Sequence, residues 1–143
     1  MAALDLDQTI EQYHQALYEY VKGNPEPTLM IFSQRDDVSL ANPLGPVALG
    51  RKAVEEAGRR AASYLRDGEH TGFENIVKVE TPAMAFIVWV ERARVRLDGR
   101  QNLVPTALRV TTIFRKEEGV WKMVHRHADP IVSIQPVESI IEK

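Results

Sequence analysis

The sequence predicts an α+β fold in which three N-terminal helices pack on one face of a mostly antiparallel β-sheet. Up to Arg66 the apolar residues recur at helical spacing in three separate segments. Beyond that point, runs rich in β-branched and aromatic residues alternate with turn signals at Thr81-Pro82, Asp98-Gly99 and Glu118-Gly119. Helices and strands each have an apolar face to bury, so helices that come first and strands that follow call for a helical layer laid on a sheet. A length of 143 residues fits one domain over residues 1–143.

Taken in order, Asp7 is a good N-cap for a first helix whose apolar positions are Ile10, Tyr13, Leu17, Tyr20 and Val21, and Gly23 before Asn24-Pro25 ends it. Pro27 suits a first helical position, which predicts a short second helix over residues 28–32. Val38, Leu40 and Asn42 alternate with Ser39 and Ala41 and then meet Pro43, the pattern of a short strand entering a turn-rich loop. A third helix is expected from Arg51 to Arg66 on the stripe Val54, Ala57, Ala61, Tyr64 and Leu65, closed by Asp67-Gly68. Four strands follow: GFENIVKVET, AMAFIVWVERARVRL, TALRVTTIFRKE and VWKMVHRHAD. The tail IVSIQPVESIIEK is apolar enough to pack on something, a partner subunit being one possibility, and Pro136 argues against one continuous helix there.

Composition excludes several function classes. The formal charge of -2, from 18 Lys and Arg against 20 Asp and Glu, offers no cationic excess for a phosphate backbone, so no nucleic-acid partner is expected. No apolar run approaches a membrane span and the N-terminus is acidic where a signal peptide is basic, so no membrane partner is expected and a cytoplasmic location is the default. With no cysteine, disulfides, thiol catalysis and thiolate zinc sites all drop out. No cofactor and no metal are expected.

The order of elements, with the motifs DDVSLANPLGP, Gly50, Glu91-Arg92, LRVT at Leu108 to Thr111 and EEGVWKMVHRHAD, resembles the nuclear-transport-factor-2-like (NTF2-like) superfamily, and most closely its SnoaL-like, ketosteroid-isomerase-related members. The resemblance covers nearly the whole chain. It implies a cone in which three helices cap a curved mixed, mostly antiparallel sheet around a cavity. Steroid isomerases carry a helix-1 tyrosine that donates a hydrogen bond to the developing enolate, and Tyr13 stands in the matching place. Their general base is a carboxylate in a D-P-x-G turn, where this chain has Asn42-Pro43-Leu44-Gly45; a carboxamide cannot take the proton. Their second oxyanion donor is an Asp, and the nearest position here is Thr112. The resemblance thus implies the fold and a cavity, and speaks against standard steroid isomerase activity.

Period two splits the last strand into two faces, Trp121, Met123, His125 and His127 against Lys122, Val124, Arg126 and Ala128. A three-residue loop at Glu117-Glu118-Gly119 would set Thr111 opposite His125 and Arg109 opposite His127, unless a bulge breaks the register. Glu91 stands amid Ile87, Trp89, Ala93 and Val95; if buried it needs a cation, and Arg109 is the expected partner. Three readings of His125 and His127 stand open: two metal ligands lacking a clear third, an acid–base imidazole beside Asp129 or Glu91, or hydrogen-bonding residues on a sheet face, which asks least of them. By resemblance to the kinase II association domain of the same superfamily, the Arg126 face is the alternative cavity wall.

The sequence therefore predicts a homodimer joined through the outer sheet face, with a cavity for a small apolar or carbonyl-bearing ligand and a possible isomerase, dehydratase or cyclase activity. The catalytic candidates are Tyr13, His125 and His127. Expected ligand contacts are Tyr13, Asn42, Arg92, Arg109, Thr112 and Arg126. The alternative is a non-catalytic ligand-binding or oligomerisation module.

Overall fold

The structure is a computed structural model and describes residues 3–143. Helix α1 spans Leu6–Tyr20, α2 Glu26–Ile31 and α3 Arg51–Ala62, and six strands form one mixed sheet. The strands are β1 Ser39–Ala41, β2 Ala48–Leu49, β3 Leu65–Glu80, β4 Met84–Leu97, β5 Leu103–Glu117 and β6 Val120–Asp129, in the order β2-β1-β6-β5-β4-β3. Every contact is antiparallel except β1 against β6. None of the helices is long and apolar enough to cross a membrane.

Several boundaries differ from the sequence expectation, each for a local reason. The N-cap of α1 is Asp5, not Asp7. A capping box needs an amide or carboxylate three residues on, and Gln8 supplies it: Gln8 N–H donates to Asp5 Oδ1 at 2.8 Å and Asp5 N–H to Gln8 Oε1 at 2.9 Å. Asp7 falls instead in the first turn, where its charge suits the positive end of the helix dipole. Helix α2 starts at Glu26, behind Pro25. Helix α3 stops at Ala62 rather than Arg66, because Leu65 and Arg66 pair with Leu97 and Arg96 as the start of β3. Asp67-Gly68 is accordingly a break within a strand and not its end. Asp67 takes φ 55°, and a Cβ on Gly68 would meet the carbonyl oxygen of Val21 at 2.5 Å, so only glycine lets β3 run this close to the end of α1.

The helices lie on the sheet face formed by Ala85, Ile87 and Trp89 of β4, Val110 and Phe114 of β5, and Trp121 and Met123 of β6, which together with Leu6, Tyr13, Leu17, Leu29, Phe32 and Val54 make the main core. The β5–β6 connection is a two-residue turn. Glu118 and Gly119 take φ 51° and 83°, and Glu117 pairs with Val120, as in a type I′ hairpin. The three-residue loop expected from sequence is thereby corrected. A β-bulge follows: Met123 pairs with Phe114 and His125 with Ile113, so Val124 is the extra residue. Past it, Arg126 and Ala128 continue the inner face begun by Trp121 and Met123, while His125, His127 and Asp129 face outward beside Ile113, Thr111 and Arg109.

Deleting Val124 tests this register. The deletion removes the extra residue and leaves Trp121, Met123 and Arg126 at even spacing on one face, so a cooperative thermal transition by circular dichroism should be retained; its loss would show that another residue is the one inserted in the ladder. Val124→Ala keeps the residue count, so it should retain the transition and cost on the order of 2 kcal/mol in urea unfolding.

Candidate functional site

Between the helices and the inner sheet face lies a cavity of about 480 Å³. Its wall is largely aliphatic and aromatic, supplied by all three helices and by β1, β3, β4, β5 and β6. Polar and ionisable side chains interrupt it: Tyr13, Tyr20, Asn42, His70, Glu91 and Arg126, with Thr28, Tyr64, Asp98, Arg100 and Thr106 also on the wall.

Glu91 and Arg126 form the centre of this group. Arg126 Nη1 and Nη2 donate to Glu91 Oε1 and Oε2 at 2.8 and 2.9 Å, a bidentate pair, and the two side chains are 12% and 5% exposed. Trp89 Nε1–H donates to the same Glu91 Oε1 at 3.0 Å, and Arg126 Nη1 also donates to the Tyr13 hydroxyl at 3.1 Å. Of the guanidinium's five N–H donors, Nε–H and one on Nη2 remain without an acceptor among the described residues. The Tyr13 proton is likewise without one.

Protonation follows from burial set against these contacts. Burial alone would raise the Glu91 carboxyl, but the charge and hydrogen bonds of Arg126 outweigh it and hold the group below the usual carboxylate range. Arg126, which burial would weaken as a base, is driven upward by Glu91. Burial raises the Tyr13 hydroxyl well above the ordinary phenol value and pushes Tyr20 up to about 12, so both stay protonated donors.

His70 enters the cavity from β3. It pairs with Ala93, and Phe73 pairs with Glu91; the register shift between His70 and Gly72 puts both on the inner face although they are three residues apart. The rings of His70 and His14 both stack on Phe73, with centroids 4.9 and 4.0 Å away. His70 Nδ1 is buried without a hydrogen-bond partner. Burial lowers the His70 pKa and so favours the neutral imidazole, partly opposed by the charge of Glu91.

The residues singled out from sequence separate into two sets. Tyr13, Asn42 and Arg126 line the cavity. Asn42 Oδ1 accepts from Leu44 N–H at 2.9 Å, which fixes the turn at the rim. Thr112 is buried opposite Arg126 with its hydroxyl oxygen unpaired, but it is not part of the cavity wall. Arg92 and Arg109 lie outside, bonded to Glu74 at 3.2 Å and to Asp129 at 2.8 Å. The expected Glu91–Arg109 pair is therefore corrected to Glu91–Arg126: Glu91 pairs with Leu108 across β4 and β5, which leaves Arg109 on the outer face, and the Val124 bulge brings Arg126 to the inner one. His125 and His127 are outside too: His125 Nδ1 is 2.7 Å from Ser39 Oγ, and His127 Nε2 is 3.4 Å from Asp129 Oδ2. They face Ile113 and Thr111, not the expected Thr111 and Arg109. Among the described residues no three His, Cys, Asp or Glu side chains gather as metal ligands. Sequence reasoning passed over His70, because three register shifts in β3 hide which residues share a face.

Known structures share this architecture. A ketosteroid isomerase-like protein from Erwinia carotovora atroseptica is 17% identical, with a TM-score of 0.74 over 90% of this chain and 95% of that one. An NTF2-like superfamily protein from Salmonella enterica is 15% identical, with a TM-score of 0.73 over 92% of each. A provisionally named dehydratase of the NTF2-like family from Streptomyces avermitilis is 22% identical, with a TM-score of 0.70 over 90% of this chain and all 100% of that one. At these identities the likeness is one of fold. No curated protein matches the chain in sequence. The sequence profile of the SnoaL-like domain matches residues 6–133, and the chain accordingly belongs to the SnoaL-like family.

Proposed function

We propose that the cavity binds a small, mostly apolar molecule through a neutral carbonyl oxygen, and that the protein carries out a cofactor-independent proton transfer of the isomerase, dehydratase or cyclase kind. One observation carries this reading: a charge-compensated donor array, Tyr13 with Arg126 and Glu91, shares a mostly apolar cavity with the neutral imidazole of His70. Because Glu91 neutralises Arg126, the array offers hydrogen-bond donors without net positive charge. A carbonyl or enolate oxygen gains from such donors, whereas a free carboxylate entering the cavity gives up its hydration with no net cation to meet it.

In the proposed step His70 takes a proton from the carbon next to the carbonyl. The C–H electron pair becomes the enolate double bond, and the oxygen takes the negative charge under the donors Tyr13 O–H and Arg126 N–H. The imidazolium then returns the proton, either to another carbon, giving an isomer, or to a departing hydroxyl, giving water and an alkene. His70 thereby fills the role that Asn42 cannot. Under this reading Arg92, Arg109, His125 and His127 belong to the outer face and to a homodimer contact, not to the reaction. The non-catalytic alternative rests on the carboxamide at Asn42.

Two measurements test the proposal. In calorimetric titrations with an aryl ketone and an aryl carboxylate of equal size, the ketone should bind and the carboxylate should not. Equal binding, or preference for the carboxylate, defeats the assignment of a neutral carbonyl. In deuterium oxide, NMR should show exchange of the hydrogens next to the carbonyl of the bound ketone, slowed by about 10²–10⁴-fold in His70→Gln with ketone binding retained. Binding without exchange in the unaltered protein would support the binding-module alternative.

The pH dependence follows from the same imidazole. Its pKa is lower folded than unfolded, so between the two values the unfolded chain holds more protons and stability rises with pH. The contribution is complete above the unfolded value of about 6.5 and is lost as pH falls through the folded one. Urea midpoints should fall below pH 6.5 in the unaltered protein, and less so in His70→Gln. The acid limb of the exchange rate should vanish with that substitution.

A further inference from the structure

We propose that the C-terminal segment, residues 130–143, crosses to a second copy of this chain and covers the outer face of its sheet. Every residue from Pro130 to Lys143 is exposed. The exposure falls on aliphatic side chains: Ile134 is 102% exposed, Ile140 82%, Val137 72% and Ile141 66%. The segment keeps a defined local shape, with Ile131 N–H donating to Asp129 Oδ1 at 3.0 Å and a 3-10 turn at Val137–Ile140. No hydrogen bond among the described residues ties the tail to the helices or to the strands before Asp129. A sequence this aliphatic is unlike a solvated linker and needs a surface to lie on.

The outer sheet face is complementary to it. Phe86, Val77 and Val79 are 39%, 39% and 40% exposed there, next to half-buried Val88, Val90 and Ile113. Arg92 and Arg94 project from β4 on the same face, and Arg94 has no carboxylate partner among the described residues. The tail brings Glu138 and Glu142. It also starts on this side of the sheet, since Asp129 is held by the outward-facing Arg109 through a bidentate pair. Extended, residues 130–143 reach roughly 45 Å, whereas six strands about 4.8 Å apart span roughly 24 Å, so one tail can traverse a whole facing sheet. Each copy carries both the tail and the face, so a two-fold arrangement satisfies both at once and closes as a dimer.

The experiment uses the absence of cysteine in the chain. Ile134→Cys, labelled with a benzophenone maleimide, is mixed as a light chain with isotopically heavy unlabelled chain and irradiated. Cross-linked peptides should join light tails to heavy β4 and β5. Links confined to light chains, links to α1 or α2, or no link to the sheet would each overturn the proposal. Light scattering gives a second reading: the full chain should run as a dimer, and a chain ending at Asp129 should dissociate about 30-fold or more readily, the scale of a lost interface hot spot. A dimer of undiminished affinity after truncation overturns the tail's role while leaving a sheet-mediated dimer in place, and a monomeric full chain removes both. If the truncated chain is insoluble, the cross-link pattern decides.

Discussion

The extra residue at Val124 lets one strand serve two incompatible demands. Near the hairpin, Trp121 and Met123 must face inward to complete the core. Three residues past Met123, Arg126 must also face inward, because Glu91 is buried on the neighbouring inner face and an unpaired buried carboxylate costs several kcal/mol. Strict alternation cannot supply an odd spacing. Inserting Val124 into the ladder between Ile113 and Phe114 resolves the conflict, and everything inside the cavity depends on it. Bulges at His70 and Asp67 do similar work in β3, turning that strand toward the end of α1 and bringing His70 to the face of Glu91.

A buried ion pair is a poor way to stabilise a fold, since the cost of dehydrating two charges offsets most of their attraction and apolar residues of like volume serve as well. The Glu91–Arg126 pair makes more sense as an arrangement of donors. Trp89 fixes Glu91, Glu91 fixes Arg126, and Arg126 fixes the Tyr13 hydroxyl, so the groups facing the cavity need little reorientation when an oxygen arrives. Such prior ordering is the usual source of stabilisation for a developing negative charge.

Period and punctuation made most of the architecture legible. Apolar spacing along Leu6–Tyr20 marks α1, and the β-branched runs with their Gly turns mark the four long strands. Cavity residues such as Tyr13 and Arg126 were within reach by resemblance. What stayed hidden was face assignment past a bulge: the sequence carries no local sign that Val124 rather than another residue is the extra one, because the choice is made by packing of Trp121 and by the Glu91 charge two strands away. The two-residue strand β2 and the early stop of α3 were missed for a related reason. Tyr64 and Leu65 continue the helical stripe in sequence, yet Leu65 is claimed by pairing with Leu97.

The contrast between two Arg–carboxylate pairs on the same sheet shows why the inner face is the chemical one. Arg109–Asp129 and Arg126–Glu91 have equal closest contacts, 2.8 Å each. Arg109 is 53% exposed, so water and salt screen its charge, and a unit charge 4 Å away feels about 1 kcal/mol. Arg126 is 12% exposed, and in its surroundings the same separation is worth about 4 kcal/mol. The histidines divide in the same way: His127 is exposed beside Asp129, whereas His70 is held among rings with a nitrogen cut off from water. Residue type and pairing are alike on both faces. Dielectric surroundings separate them, so a reaction that depends on stabilising charge at an oxygen belongs where Arg126, Tyr13 and His70 share one dry wall.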